Sequence, residues 1–237
     1  MATLYWQGDS LLDPDTTIGL FVTGHDARSR NQKTGAIVQT WILVDEASPT
    51  EAVRTGLDQA ICGDCVHRAA PRSCYVNVGQ APQSIWRSQW NAAPDLDRKI
   101  RGMKVRLGAY GDPAAVPFEI WQALLFRASG WLGYTHQWAT CDQRMKKYCM
   151  ASVDSIEERD RAHDLGWRTF FVGAHIGWMP KDSRTTLCPA STEAGKQLTC
   201  EKCMSCSGLG LDNRVGDIFI PVHGTSWHKV NFTRKAA

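Results

Sequence analysis

Cys200-Glu-Lys-Cys203-Met-Ser-Cys206 sets three thiols at successive two-residue gaps, and Cys188, followed by Pro189, lies just upstream. Turn formers surround the run: Ser205, Ser207, Gly208 and Gly210. A second group, Cys62-Gly-Asp-Cys65, is completed by Cys74, while Cys141 and Cys149 stand apart. The total of nine is odd, so a complete disulfide framework within one chain is excluded. The N-terminal stretch carries Asp9, Asp13 and Asp15 and no Lys or Arg before Arg28, the wrong charge for a secretory or transit leader. The expected location is therefore a reducing cytoplasm, where cysteines are thiols or metal ligands. With 237 residues, 43% of them hydrophobic, the chain can bury a real core without disulfide staples. No apolar run is long enough to span a membrane, so no membrane association is expected.

The four-cysteine group resembles the ferredoxin loop, in which short spacing wraps one face of an iron–sulfur cube and a remote Cys-Pro supplies a further ligand. Zinc sites more often use two separated Cys-x2-Cys knuckles. Cys188, Cys200, Cys203 and Cys206 are therefore assigned to a 4Fe–4S cluster, with zinc as the alternative metal and plain thiols as the remaining reading. Cys62, Cys65 and Cys74 form an incomplete set. A cube held by three thiolates leaves one iron for a substrate, a cofactor, His67 or a remote cysteine. A zinc knuckle finished by His67, or a simply buried Cys74, are the structural alternatives. Cys141 and Cys149 are each read as a core thiol or as the missing fourth ligand.

Two β-rich runs, Thr17–Val22 and Ala36–Val44, predict an N-terminal hairpin. Ser48, Pro49 and Glu51 open a helix whose apolar stripe is Val53, Leu57 and Ala60. A polar helix is expected over Ser84–Trp90. Strands are expected at Lys104–Tyr110, Trp131–His136, Tyr148–Val153, Trp167–Val172 and Asp217–Val222. Helices are expected from Val116 to Ala128 and from Ser155, the latter with Gly166 at its C-terminal stop. Strands separated by helices argue for a parallel α/β architecture of about six strands. The whole chain reads as one α/β domain, with 185–210 as a cysteine-rich metal-binding insertion.

A three-cysteine loop, a strand ending Gly108-Ala-Tyr-Gly-Asp-Pro113, a strand ending Tyr134-Thr-His136 and a strand ending Ser152-Val-Asp154 follow in that order. This order resembles the partial TIM-like barrel of the radical S-adenosylmethionine superfamily, over roughly Cys62 to Val172. It is also similar to small phage-encoded proteins with a comparable cysteine pattern, which would place the chain in a host cytoplasm. The resemblance implies a radical S-adenosylmethionine enzyme of unstated substrate. Gly111 and Asp112 would occupy the turn that contacts the cofactor's amino group, and Thr135, His136, Ser152 and Asp154 would supply further cofactor contacts. The four-cysteine group is similar to the auxiliary clusters of some of these enzymes. The spacing differs: Cys-x2-Cys-x8-Cys here, where the superfamily uses Cys-x3-Cys-x2-Cys.

His136, His175 and His223 all fall at expected strand ends, where parallel sheets gather ligands. Each could equally satisfy a local backbone group, and Asp112 and Asp154 could equally cap the helices that follow. Trp121 and Trp167 fit a core pattern, whereas Trp86 and Trp90 suit a surface contact. The run Arg98–Arg106 and the tail residues His228, Lys229, Arg234 and Lys235 could track phosphates of a nucleic acid. A net charge of +3 makes a solvated face the simpler account. A non-catalytic iron–sulfur protein for partner or nucleic-acid binding or redox sensing is thus the alternative function. A zinc-stabilised structural protein is the further one.

Overall fold

The computed structural model describes residues 2–26, 33–68, 70–88, 95–211, 216–224 and 226–236. Trp90, half of the expected surface pair, lies outside them. Two five-stranded sheets organise the described residues. The first runs β1 (Thr3–Asp9), β2 (Thr17–Thr23), β3 (Val38–Val44), β4 (Lys104–Tyr110) and β5 (Gly130–Leu132), side by side in that order. The expected hairpin is β2–β3, antiparallel, and its apolar residues are buried except for half-buried Trp41. β1 adds an antiparallel edge strand that sequence reading missed. Gln7, Gly8 and Asp9 erase the apolar alternation that would have announced it. β3 also pairs parallel with β4, and β4 with β5, so one hairpin strand opens the parallel series.

The second sheet is parallel throughout: β6 (Tyr134–Thr135), β7 (Met150–Val153), β8 (Thr169–Gly173), β9 (Thr185–Leu187) and β10 (Asp217–Pro221). β10 lies between β8 and β9, which takes the edge. The strand expected over Trp131–His136 is split into β5 and β6 by Gly133. A Cβ there would meet Cys149 Sγ and Leu107 Cβ, each at 2.9 Å. The Gly133 N–H leaves the ladder for the Cys206 carbonyl at 3.1 Å.

The helices are α1 (Pro49–Thr55), α2 (Gln59–Cys62), α3 (Ala81–Trp86), α4 (Leu96–Lys99), α5 (Phe118–Leu125), α6 (Ile156–Asp164), α7 (Cys200–Cys203) and α8 (Ser226–Ala236). Ser48 caps α1 by accepting from the Glu51 N–H. The single helix expected through Ala60 is broken by Gly56, which turns left-handed at φ 86°. α5 starts later than Val116 because Pro113–Ala115 forms a separate tight turn and Pro117 precedes the first helical residue. Ser155 and Gly166 bracket α6 as expected.

The strands divide their side chains between two cores. Val105, Leu107, Phe171 and Phe219 join Trp121 and Trp167 in the larger one. Leu132, Met150, Ile218 and Ile220 pack with Cys188, Met204 and Cys206 in the smaller one. The cysteine-rich segment therefore covers part of one sheet face, and it contributes β9 and α7. Arg168 fastens it. That buried guanidinium donates to the carbonyls of Gly216 (2.8 Å), Gly208 (2.8 Å) and Ser205 (2.9 Å). No helix among the described residues is long and apolar enough to cross a membrane.

The basic run does not form one surface. Arg98 and Lys99 pair with Asp95. Strand alternation sends Lys104 to the Glu201 carbonyl (2.6 Å) and Arg106 to the Tyr75 hydroxyl (2.8 Å). Trp86 is half-buried and donates to the Val44 carbonyl, so it is an anchor of α3 rather than a free surface ring.

Candidate metal and cofactor site

α2 ends on Cys62 and is tied to the strand ends. The Asp112 N–H donates to the Ile61 carbonyl (2.6 Å), and Gln137 Nε2 donates to the Cys62 carbonyl (3.2 Å). The eight-residue gap is a closed loop. The His67 carbonyl accepts from both the Ser73 and Cys74 N–H groups, so the chain folds back and returns Cys74 to the first two thiols. Burial pushes the Cys62 thiol well up, and Cys74 and Cys65 are the next contributors. The three thiols thus share one neighbourhood near the carboxyl ends of β4, β6 and β7.

Polar groups line this cluster. Arg72 hydrogen bonds Cys74 and feels Cys62. Burial raises the Tyr110 hydroxyl, with Cys62 as the next cause. Asp58, also raised by burial, pairs with Arg68 at 3.0 Å. Asp154 Oδ2 accepts from His67 Nε2 at 2.6 Å and lies 4.0 Å from His136 Nε2. Burial alone would raise the Asp154 carboxyl, but His67 and then His136 hold it below the usual carboxylate range. Burial opposes a charge on His136. Cys65, as charge and hydrogen-bond partner, then Asp154 and Asp112 outweigh it and raise the imidazole to about 10.

His67, His136 and Asp154 bring their ligand atoms within 4.8 Å of one another. Both His67 nitrogens are already engaged, Nδ1 with Ser73 Oγ at 2.7 Å and Nε2 with Asp154. His67 therefore braces the site, and with His136 and Asp154 it is also one of three side chains placed to hold a metal ion. Phe232 of α8 stacks on its ring at 5.1 Å, and Asn231 Nδ2 donates to the Arg72 carbonyl at 3.2 Å.

Gly111 takes φ +81° beneath Ile42, where a Cβ would come within 2.7 Å of the Ile42 Cβ. Asp112 is committed to the fold. Its Oδ1 accepts from Ala114 N (2.9 Å), its Oδ2 from His136 N (2.7 Å), and Thr135 bonds it as well. The capping reading of Asp112 is thus the one its geometry satisfies. Thr135 Oγ1 also accepts from the Gln137 N–H, and Ser152 is buried within β7. His175 accepts from Gly177 N and packs on Trp178, while His223 faces Glu193 at 4.0 Å. Of the three strand-end histidines, His136 joins the thiols.

The second cysteine group is assembled by backbone bonds. Cys188 N donates to Phe219 O (2.7 Å) and Cys200 N to Lys33 O (2.9 Å). Met204, left-handed at φ 50°, turns the chain between Cys203 and Cys206. Burial is the main cause of the Cys206 thiol's raised affinity for the proton; Cys188, Cys200 and Cys203 add to it, and the Tyr134 hydrogen bond works against it. One tetrahedral zinc with bonds of about 2.3 Å sets its sulfurs roughly 3.8 Å apart. Among the described residues no three cysteine sulfurs lie within 4.8 Å of one another. Cys149 is a core thiol against Gly133. Cys141 donates to the Asp142 carbonyl (3.7 Å), and burial pushes it up to about 12.

Sequence reading named seven cysteines, His136 and Asp154, and the structure sets the last two beside His67. It missed the roles of Tyr110, Asp58, Asn231 and Phe232. Tyr110 carried a signal, since it ends a parallel strand. Asn231 and Phe232 carried none. No family model, curated protein or solved structure matches the chain.

Proposed function

We propose that this chain is an iron–sulfur protein with two clusters, one held by Cys188, Cys200, Cys203 and Cys206 and one by Cys62, Cys65 and Cys74. The first set is closed. The second leaves one iron for S-adenosylmethionine, making the protein an enzyme of the radical S-adenosylmethionine type in a reducing cytoplasm. The observation that carries this is the distribution of buried side-chain polar atoms without hydrogen-bond partners. Of twelve among the described residues, seven belong to the surroundings of the three-thiol loop: Asp58, Arg68, Arg72, Tyr110, His136, Asp154 and Asn231. Native interiors rarely tolerate such atoms without a functional reason. A buried cation and a hydroxyl beside three thiols suit the negative charge of a thiolate-bound cluster.

β3, β4 and β5, then β6, β7, β8 and β10, lie in chain order, and one residue joins β5 to β6. That arrangement is consistent with a partial parallel barrel. When bound, the open cluster supplies an electron to the cofactor's sulfonium. Arg72 hydrogen bonds Cys74, the unpartnered Tyr110 hydroxyl and the polar atoms of His136 and Asp154 are free for the cluster and cofactor, and Asp112 positions His136. A second reading, an iron–sulfur protein that does not bind S-adenosylmethionine, is favoured by one observation: both Asp112 oxygens are already taken by the fold.

Anaerobic isolation should give a brown protein with iron and sulfide, and Cys62→Ala and Cys203→Ala should each lose one cluster while keeping the other. A colourless protein with stoichiometric zinc would sink the proposal. Release of 5′-deoxyadenosine under strong reductant supports the enzyme. Full clusters with no release and no cofactor binding support the second reading.

A further inference from the structure

The inner face of the first sheet carries a cation that the cysteine chemistry does not use. Register sets Gln39, Arg106 and Leu132 on one face of β3, β4 and β5. Leu132 marks that face as the one beneath the cysteine-rich segment. The Arg106 guanidinium donates to the Tyr75 hydroxyl at 2.8 Å, and Tyr134 and Cys200 are the other groups that act on its charge. No carboxylate among the described residues pairs with it. Its bond to the exposed Tyr75 lies at the surface, so the guanidinium keeps donors within reach of a ligand oxyanion.

Arg106 also occupies the ground between the two metal groups. Tyr75 follows Cys74 directly, and Cys200 belongs to the four-thiol set. Tyr134 and Phe170 meet nearby with ring centroids 4.2 Å apart. Arg106, Tyr134, Phe170 and Val172 remain partly exposed at mid-sheet, while Val105, Leu107 and Phe171 on the opposite face are buried. The inner face is therefore open there, with a planar cation beside an aromatic wall.

We propose that this patch binds the carboxylate or phosphate of an aromatic small molecule, the substrate class of the enzyme reading on which the proposal rests. The guanidinium fork takes the oxyanion with two parallel N–H bonds. The Tyr75 hydroxyl accepts from Arg106 and keeps its own O–H to donate to the anion. Tyr134 and Phe170 pack against the ring.

The test uses the full anaerobic protein and fluorine NMR, with fluorobenzoate, fluorophenyl phosphate and neutral fluorobenzyl alcohol as probes. At least one anionic probe should broaden on titration and the alcohol should not; which anion binds more tightly tells carboxylate from phosphate. Arg106→Gln should weaken binding at least about tenfold, as expected for loss of a charged hydrogen-bond pair. Arg106→Lys should keep part of it and Tyr75→Phe should lose less than Arg106→Gln. Equal binding by Arg106→Gln, equal binding of the alcohol, or no binding of either anion overturns the proposal. Iron content is measured on the same samples. A wild type without iron removes the enzyme reading, whereas an iron-loaded protein indifferent to the anions removes this one alone. Unchanged iron in Tyr75→Phe, which keeps the ring, guards against a folding defect.

Discussion

Two left-handed glycines show how differently one backbone conformation can be defended. Gly208 has φ +64°, and a Cβ there would lie 2.6 Å from the Lys146 carbonyl and 2.9 Å from the Cys149 backbone. Gly56 has φ +86° and nothing within 4 Å. Gly208→Ala should therefore destabilise by about 3 kcal/mol, because backbone must move as well as strain. Gly56→Ala should cost about 1 kcal/mol, from strain alone. Urea unfolding of the two variants measures the difference, and equal midpoints would contradict it. The turn at Gly108–Pro113 stood out in the sequence only through the resemblance, as a place to contact a cofactor. What Asp112 does there was not legible, because a carboxylate at a strand end reads the same whether it holds a ligand or two backbone N–H groups.

At the scale of elements, side chains decide how the cysteine-rich segment is held. Arg168→Met should destabilise by about 3 kcal/mol, since it strands one buried and two part-buried carbonyls that accept from one cation. The urea midpoint checks this, and a variant as stable as wild type would show that water replaces the guanidinium. Asp182 fixes the start of β9 by accepting from Arg184 N (3.0 Å) and Thr185 N (2.8 Å). Burial is the largest single influence and opposes its charge, but the hydrogen bonds from Thr185, Arg159 and Arg184 together outweigh it and lower the carboxyl to about 2. A folded value below the unfolded one, about 3.9, stabilises at pH above that value; the gain disappears as pH falls through about 2. Asp182→Asn should thus lose less stability than wild type between pH 4 and pH 2, read from urea midpoints. Elements with strong caps, α1 and α6, were legible because Ser48 and Ser155 sit where the backbone needs an acceptor. β9 was not, because three residues of a parallel edge carry no period of their own.

For the whole molecule, the alternation of strands and helices foretold a mixed α/β fold with parallel pairing. The division into two sheets was hidden in a single residue, since Gly133 reads as an ordinary strand glycine until Cys149 and Leu107 are brought against it. The three thiols of the candidate centre were legible as a local motif. Their surroundings were not, because His67 and Asp154 are 87 residues apart and Arg72 and Asn231 are 159 apart.

That separation bears on the order of manufacture. A growing chain presents Cys62, Cys65 and Cys74 long before Phe232 and Asn231 exist to close over His67 and Arg72. During synthesis the thiol loop is uncovered, and on the iron–sulfur proposal delivery of metal to it would be simplest in that interval. Once α8 has docked, the same loop is roofed. Appending bulk to α8 should therefore impair protection of a loaded centre against chelators more than its initial filling, which a comparison of iron uptake with iron loss would separate.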